Sequence, residues 1–206
     1  MEHIVGFVGY ECEDLVVYLA RILGAFGKKV AIIDRTEQEM LIEVLGVQTK
    51  TQDAEREGFV SGVWITSQGV NYDEFDMVFL IFGYRLLHPK LYECETLIMV
   101  TDGVPAHASL LRKIGQWERK QYLLIRNVVP MKHTEHYLAM LADHEEEYCE
   151  IPYDEQDVRM RCSLSSYARC SIKQLSAGMK RALVVLARII TPEYQERQLR
   201  EVMKKI

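Results

Sequence analysis

Six residues near the start of the chain, Gly9-Tyr10-Glu11-Cys12-Glu13-Asp14, set three carboxylates around one thiol. They follow an apolar run at 3–8 and lead into a stretch at 14–26 with Leu15, Tyr18, Leu19 and Ile22 at helical spacing. That makes them a strand-to-helix turn, and open α/β sheets bind ligands at such turns. A turn that wraps a phosphate needs glycines so that backbone N–H groups can approach it. It also needs a lysine for the β- and γ-phosphates and a Ser or Thr hydroxyl for magnesium. Here there is one glycine, Gly9, and neither of the others. A thiol at a helix N-terminus can be activated, but acidic neighbours disfavour its thiolate, so no nucleophilic or redox role is expected of Cys12.

Other residues of suitable type are less tellingly placed. His133 and His136 stand three apart with Glu135 and His144 nearby, a spacing that metal ligands use and that a solvated helix also shows. The solvated face is the reading adopted, and Glu145-Glu146-Glu147 reads as a solvated turn. Ser163, Ser165, Ser166 and Ser171 surround Cys170 without the pattern of a nucleophile elbow. Cys12, Cys94, Cys149, Cys162 and Cys170 are odd in number and contain no C-x-x-C pair, which excludes a disulfide framework and a zinc knuckle. Trp64 and Trp117 read as packing residues.

The elements that position the turn are legible as apolar runs. Strands are expected at 3–8, 29–33, 63–66, 77–82, 96–100, 122–125 and 148–151, with helix-compatible sequence between them. Gly27 suits a helix C-terminal cap. Asp34 follows the second strand, where it is expected to cap the segment at 36–45 rather than touch a metal. Buried Val/Ile/Leu runs alternating with helices specify an α/β fold, a doubly wound, mostly parallel sheet covered on both faces. With 206 residues and 49% hydrophobic composition, one domain accounts for nearly all of the chain. The division expected is an α/β domain at 1–190 followed by an amphipathic helix at 191–206.

The end of the chain reads as a helix at 171–190, with Leu175, Met179, Leu183, Leu186 and Ile190 on one stripe. Thr191-Pro192 then reads as the N-cap and first turn of another helix, which aligns Leu199, Val202, Met203 and Ile206. The net charge of −5 hides an asymmetry, because residues 158–206 carry eleven Lys and Arg against three Glu. This basic quarter has no stacking aromatics or recognition helix, so nucleic acid is not an expected partner. No apolar run approaches a membrane span, and Met1-Glu2-His3 leads straight into a strand-like run rather than a secretory leader. A cytoplasmic location is therefore expected.

Several segments, taken in order, resemble the ParA/MinD family of deviant Walker-A (SIMIBI-class) P-loop ATPases. L-A-R-I-L-G-A-F-G-K-K-V-A-I-I-D at 19–34 is similar to that family's first helix and second strand. Y-D-E-F-D-M-V-F-L-I-F at 72–82 is similar to its Y-D-Y-V-I-I-D strand, and residues 97–105 to the strand and turn that follow. Arg126-Asn127 falls where the family often has an asparagine near the adenine, and I-P-Y-D-E at 151–155 matches a family segment letter for letter. The resemblance implies a P-loop NTPase-like fold, with Asp34, Asn127, Pro152 and Asp154 as a vestigial nucleotide site.

The departures fall on the catalytic parts of that pattern. Glu11-Cys12-Glu13-Asp14 occupies the family's Gly-Lys-Ser/Thr-Thr, so the P-loop lysine becomes Cys12 and the magnesium hydroxyl Glu13. The family's second signature lysine falls on Phe7, and the aspartate ending its third strand on Ile81. Of the second strand's D-x-D pair, Asp34 is kept and the other position is Thr36. Phosphoryl transfer depends on positioning and charge neutralisation, and these substitutions remove most of both. A like-charge pair at about 4 Å costs roughly 4 kcal/mol at an effective dielectric near 20. The same carboxylates placed at the first helix's N-terminus gain about 0.3–1 kcal/mol each. The expectation is a degenerate Walker A, with acidic side chains standing in for the phosphate, and a pseudo-ATPase rather than an enzyme. Its expected role is that of a scaffold, localisation or assembly factor acting through protein contacts, by resemblance beside a pilus, secretion or other envelope machine. A face-to-face homodimer is a further expectation of the resemblance, and for the last helix packing against the body or another subunit is preferred to weak membrane contact, peripheral to the inner face. ATP and magnesium are disfavoured as cofactors. The alternative is an ATP-binding family member with slow or partner-assisted hydrolysis. A ligase of the dethiobiotin-synthetase type falls with the missing phosphate loop.

Overall fold

The computed structural model describes residues 3–39, 41, 57–60, 63–114, 120–129, 148–164 and 171–206. Its strands are β1 (His3–Gly9), β2 (Val30–Asp34), β3 (Glu57–Val60), β4 (Val63–Thr66), β5 (Met77–Gly83), β6 (Thr96–Thr101), β7 (Lys120–Val128) and β8 (Tyr148–Pro152). They form one sheet in the order β3-β4-β2-β5-β1-β6-β7-β8. All neighbours are parallel except the β3–β4 hairpin. The doubly wound, mostly parallel sheet read from the sequence is therefore present. Because β1 lies between β5 and β6, the chain leaves it toward one edge and later returns on its other side. The crevice at the carboxyl end of β1 is thus the sheet's switch point.

The helices are α1 (Glu13–Ala25), α2 (Pro105–Leu111), α3 (Glu155–Cys162), α4 (Ala177–Ile190) and α5 (Glu196–Met203) among the described residues. Strand alternation divides the core in two. Val5, Phe7, Ile32, Phe79, Ile81 and Ile98 face a cluster that also takes Leu15, Leu19 and Ile22 of α1, Leu183 and Leu186 of α4, and Leu199 and Met203 of α5. Val8, Ile33, Leu80, Phe82, Leu97 and Met99 face the other, beneath Ala108 and Leu111 of α2. Fully covering each large aliphatic side chain contributes about 1.5–3 kcal/mol. Leu15, Leu19, Ile22 and Leu23 are completely covered, so α1 is fixed as a rigid support for the turn before it.

The end of the chain differs from the expected helices. Residues 172–174 form a 3₁₀ turn, and α4 begins only at Ala177. Ser176 Oγ accepts from the Met179 N–H at 3.0 Å as N-cap, while Asp157 holds the Ser176 N–H at 2.8 Å and its hydroxyl at 2.6 Å. A serine capped from one side and anchored from the other stops the helix extending backward to Ser171. Likewise Thr191 does not open α5. It is buried, its hydroxyl donates to the Ala187 carbonyl at 2.6 Å, and Gln195 and Gln198 form the capping box of α5. Leu199 and Met203 are turned into the first core cluster, so the stripe of the last helix is used against the body. No helix among the described residues is long and apolar enough to cross a membrane. His133, Glu135, His136, His144, Glu145, Glu146, Glu147, Trp117, Ser165, Ser166 and Cys170 lie outside the described residues.

Candidate functional site

The turn from β1 into α1 is shaped by its backbone before any side chain acts. Gly9 has φ +108°, and the Tyr10 N–H donates to the Val100 carbonyl at 2.8 Å, which pulls the end of β1 against β6. Glu11 sits at φ +44°, in the left-handed region that non-glycine residues seldom adopt. Cys12 is the N-cap of α1 without a side-chain cap bond. Carboxylates instead meet the backbone of the first turn, where Asp14 Oδ1 accepts from the Leu15 N–H at 2.9 Å and the Glu13 carboxylate from its own N–H.

Asp14 has no exposed side chain and Arg126 only 3%. Arg126, near the end of β7, grips it with two parallel hydrogen bonds, Nη1 to Oδ1 at 2.8 Å and Nη2 to Oδ2 at 2.9 Å. The same Nη1 donates to the Glu11 carbonyl, and the Glu11 carboxylate pairs with Arg161 of α3. Two guanidinium groups therefore fasten the loop through a carbonyl and two carboxylates. Burial lowers the tendency of Arg126 to hold its proton, but Asp14 outweighs it and leaves the guanidinium more firmly protonated than usual. Arg126 and Arg161 are site residues that sequence reasoning missed.

Glu13 is half-buried beside Asp14 and Asp34, and burial first, then these charges, raises its pKa. A carboxyl whose folded pKa is raised binds more protons folded than unfolded. Stability then falls as pH rises through the window that begins at the ordinary glutamate value and ends at the raised one. Glu13→Gln is accordingly expected to be more stable than the parent protein at pH 7, with the gain vanishing below about pH 4. Urea midpoints across pH check this, and an equal midpoint at pH 7 refutes it.

Cys12 is completely covered within the core cluster, and burial above all pushes its thiol well up. Its side chain turns inward, away from the mouth of the sheet. Native protein treated with a thiol-reactive disulfide and mapped by mass spectrometry should label exposed Cys162 first, and Cys12 and Cys94 only on unfolding. Phe7 and Ile81 are register partners on β1 and β5, both without exposed surface. Phe7 meets Phe79 edge-on with ring centroids 5.4 Å apart, so both positions serve packing.

On the β6 side of the loop, Tyr10 stacks on His107 of α2 at 4.7 Å, and Tyr84 lies tilted 5.9 Å from the same ring. His107 Nδ1 is 2.8 Å from Asp102 Oδ1, which also accepts from the Val104 N–H at 3.0 Å. A carboxylate only accepts, so Nδ1 carries a proton. Aromatic rings and an imidazole bonded to a carboxylate thus fill the mouth between β1, β5 and β6.

The remaining predicted residues are held by their own surroundings. Asp34 accepts from the Thr36 N–H at 2.9 Å and hydroxyl at 2.6 Å, and from the Leu41 N–H at 2.7 Å. Asn127, at φ +57°, occupies the bulge where β7–β8 pairing shifts between Ile125 and Val128. Pro152 ends β8, its Cδ 2.9 Å from where a Cβ on Gly178 would stand. Asp154 caps α3, accepting from the Gln156 N–H at 2.8 Å. Among the described residues no group of three His, Cys, Asp or Glu is arranged to hold a metal ion.

No family model matches the chain. No curated protein matches it by sequence. Solved structures do match by shape. MinD in the MinC:MinD cell division complex of Aquifex aeolicus superposes with a TM-score of 0.65 at 11% identity, covering 94% of this chain and 97% of that one. A Cyanothece McdA variant in complex with ATP gives 0.64 at 9% identity, covering 94% and 98%. A ParA family ATPase from Chlorobium tepidum gives 0.53 at 12% identity, covering 99% and 96%. At such identities the fold is what is shared, and it is the fold of ParA- and MinD-type ATPases.

Proposed function

We propose that this chain is a ParA/MinD-like protein without nucleotide turnover. It acts as a scaffold, localisation or assembly factor through protein–protein contacts, with a second copy of itself among its partners. The observation that carries the reading is the double arginine clamp on the first loop. Arg126 holds Asp14 and the Glu11 carbonyl, and Arg161 holds the Glu11 carboxylate. In this reading the polypeptide supplies both the anions and their counterions in the place where an ATPase of this fold keeps phosphate and magnesium. The missing lysine supports it, since Cys12 is sealed into the core. The apolar Phe7 and Ile81 support it too, since neither can neutralise charge or hold a metal. Contact with a protein partner through the carboxyl edge of the sheet is consistent with exposed Tyr84, Leu87 and Val104 in the loops that follow β5 and β6.

The competing reading is a nucleotide-binding ATPase with slow or partner-assisted hydrolysis. It draws on the McdA structure of this fold that is recorded with ATP. In this chain it requires Glu11 and Asp14 to leave their arginines before a triphosphate can approach the α1 N-terminus. Thermal unfolding with and without millimolar Mg-ATP separates the two. A ligand present at one hundred times its Kd stabilises by about 2.7 kcal/mol, a rise of several degrees in Tm. The scaffold reading expects no rise. A rise of that size, or phosphate release above background, removes it.

A further inference from the structure

A cleft of about 700 Å³ opens between α4 and α5, and none of the first-loop residues lines it. Val184 and Met203 lie beneath it, almost wholly covered, so its apolar surface is mainly the hydrocarbon stems around them. Its walls are the long side chains of Lys173, Lys180, Arg197, Arg200 and Lys204, and Glu196 and Glu201 are the carboxylates among the lining residues. Long basic side chains lay their hydrocarbon stems along a surface and hold their charges at its edge. Five of them around one cleft give it hydrocarbon walls beneath a cationic rim.

The rim is not neutralised from within. Arg200 pairs with Glu196 at 2.7 Å and Lys204 with Glu201 at 2.6 Å. The Lys180 ammonium instead donates to the Lys173 carbonyl at 2.7 Å, a bond that leaves its charge uncompensated. Among the described residues no carboxylate stands within ion-pair distance of the Lys173 or Lys180 ammonium, while Arg197 lends its charge to the neighbouring Glu201 carboxylate. The volume lies within the range of about 300–1,000 Å³ typical of small-molecule sites. A bare inorganic anion would leave most of it empty, and an uncharged chain would leave the Lys173 and Lys180 ammonium groups unanswered.

We propose that this cleft binds a single-chain anionic amphiphile free in solution. Its tail lies along the lysine and arginine stems above Val184 and Met203, and its carboxylate or phosphate head sits among Lys173, Lys180 and Arg197. The site uses basic residues between 173 and 204, which the reading of the first loop leaves without a role, and it stands or falls independently of that reading.

Calorimetric titration of the whole protein with decyl phosphate, below its micelle-forming concentration, tests the proposal. One equivalent is expected to bind. Inorganic phosphate is expected to give no heat, and decyl maltoside to bind at least tenfold more weakly. The Lys173→Glu/Arg197→Glu double variant changes two exposed side chains, so it should fold normally, as checked by circular dichroism. It is expected to lose at least tenfold in affinity for decyl phosphate. Four results overturn the proposal: no binding, equal binding of the charged and uncharged amphiphiles, unchanged affinity in the double variant, or flotation with phosphatidylglycerol vesicles without binding of the monomeric probe. The last would make the face a bilayer contact.

Discussion

Arg126→Met is expected to lower stability by about 3–5 kcal/mol, because it strands the Asp14 carboxylate in a fully covered position. The loss arises less from the attraction given up than from the charge left behind. That distinction is testable. Arg126→Met/Asp14→Leu removes both charges and leaves apolar groups of similar volume, and exchanges of that kind at buried pairs are often neutral or stabilising. The double variant should therefore recover most of the loss, giving a large coupling energy in the mutant cycle. Arg126→Lys should fall between, since an ammonium cannot make two parallel bonds to Asp14 and still reach the Glu11 carbonyl. Urea denaturation with an unchanged m-value supplies the measurement. A loss under about 1 kcal/mol for Arg126→Met would show that the clamp does not hold the loop.

That clamp also marks where reading the sequence ran out. The strands were legible because runs such as Met77-Val78-Phe79-Leu80-Ile81-Phe82 bury every side chain in a parallel sheet covered on both faces. β3 was not, because Glu57-Gly58-Phe59-Val60 is an edge segment with a charge and a glycine, and only its pairing with β4 defines it. Arg126 was read as no more than a companion of Asn127. A charged residue after Leu123-Leu124-Ile125 looks like a strand reaching solvent, and its partner stands 112 positions earlier. The one signal available was complementary. Asp14 stands in the first turn of a helix whose next residues, Leu15, Val16 and Val17, are all apolar, so its carboxylate is headed for burial and needs a cation. Arg161 is hidden in the same way among the eleven basic residues of 158–206, none of which is singled out by its spacing. The Tyr10–His107–Tyr84 cluster joins the turn after β1, helix α2 and the turn after β5, and no local pattern announces it. At the site, what the sequence hides is in each case a contact between residues far apart along the chain.

The second large effect lies in the backbone that sets the loop's course. Gly9→Ala is expected to cost roughly 4 kcal/mol or more, in the range reserved for a named steric or electrostatic fault. Two terms combine. The φ of +108° is strained for any residue with a Cβ, and an added Cβ would stand 2.0 Å from the Val100 carbonyl oxygen, which already accepts from Tyr10. That oxygen belongs to the β6 backbone, so no rotamer change relieves the overlap, and the end of β1 must lift away. Gly27→Ala separates the terms. Gly27 also has positive φ, at +83°, but nothing lies within 4 Å of its hypothetical Cβ, so strain alone should cost about 1–2 kcal/mol. The difference between the two variants then measures the close approach of β1 to β6. Lifting β1 also carries the Glu11 carbonyl away from Arg126, so the Gly9→Ala/Arg126→Met double variant should lose less than the sum of its parts. Strict additivity, or equal losses for Gly9→Ala and Gly27→Ala, would mean that loop position and arginine clamp are not one mechanical unit.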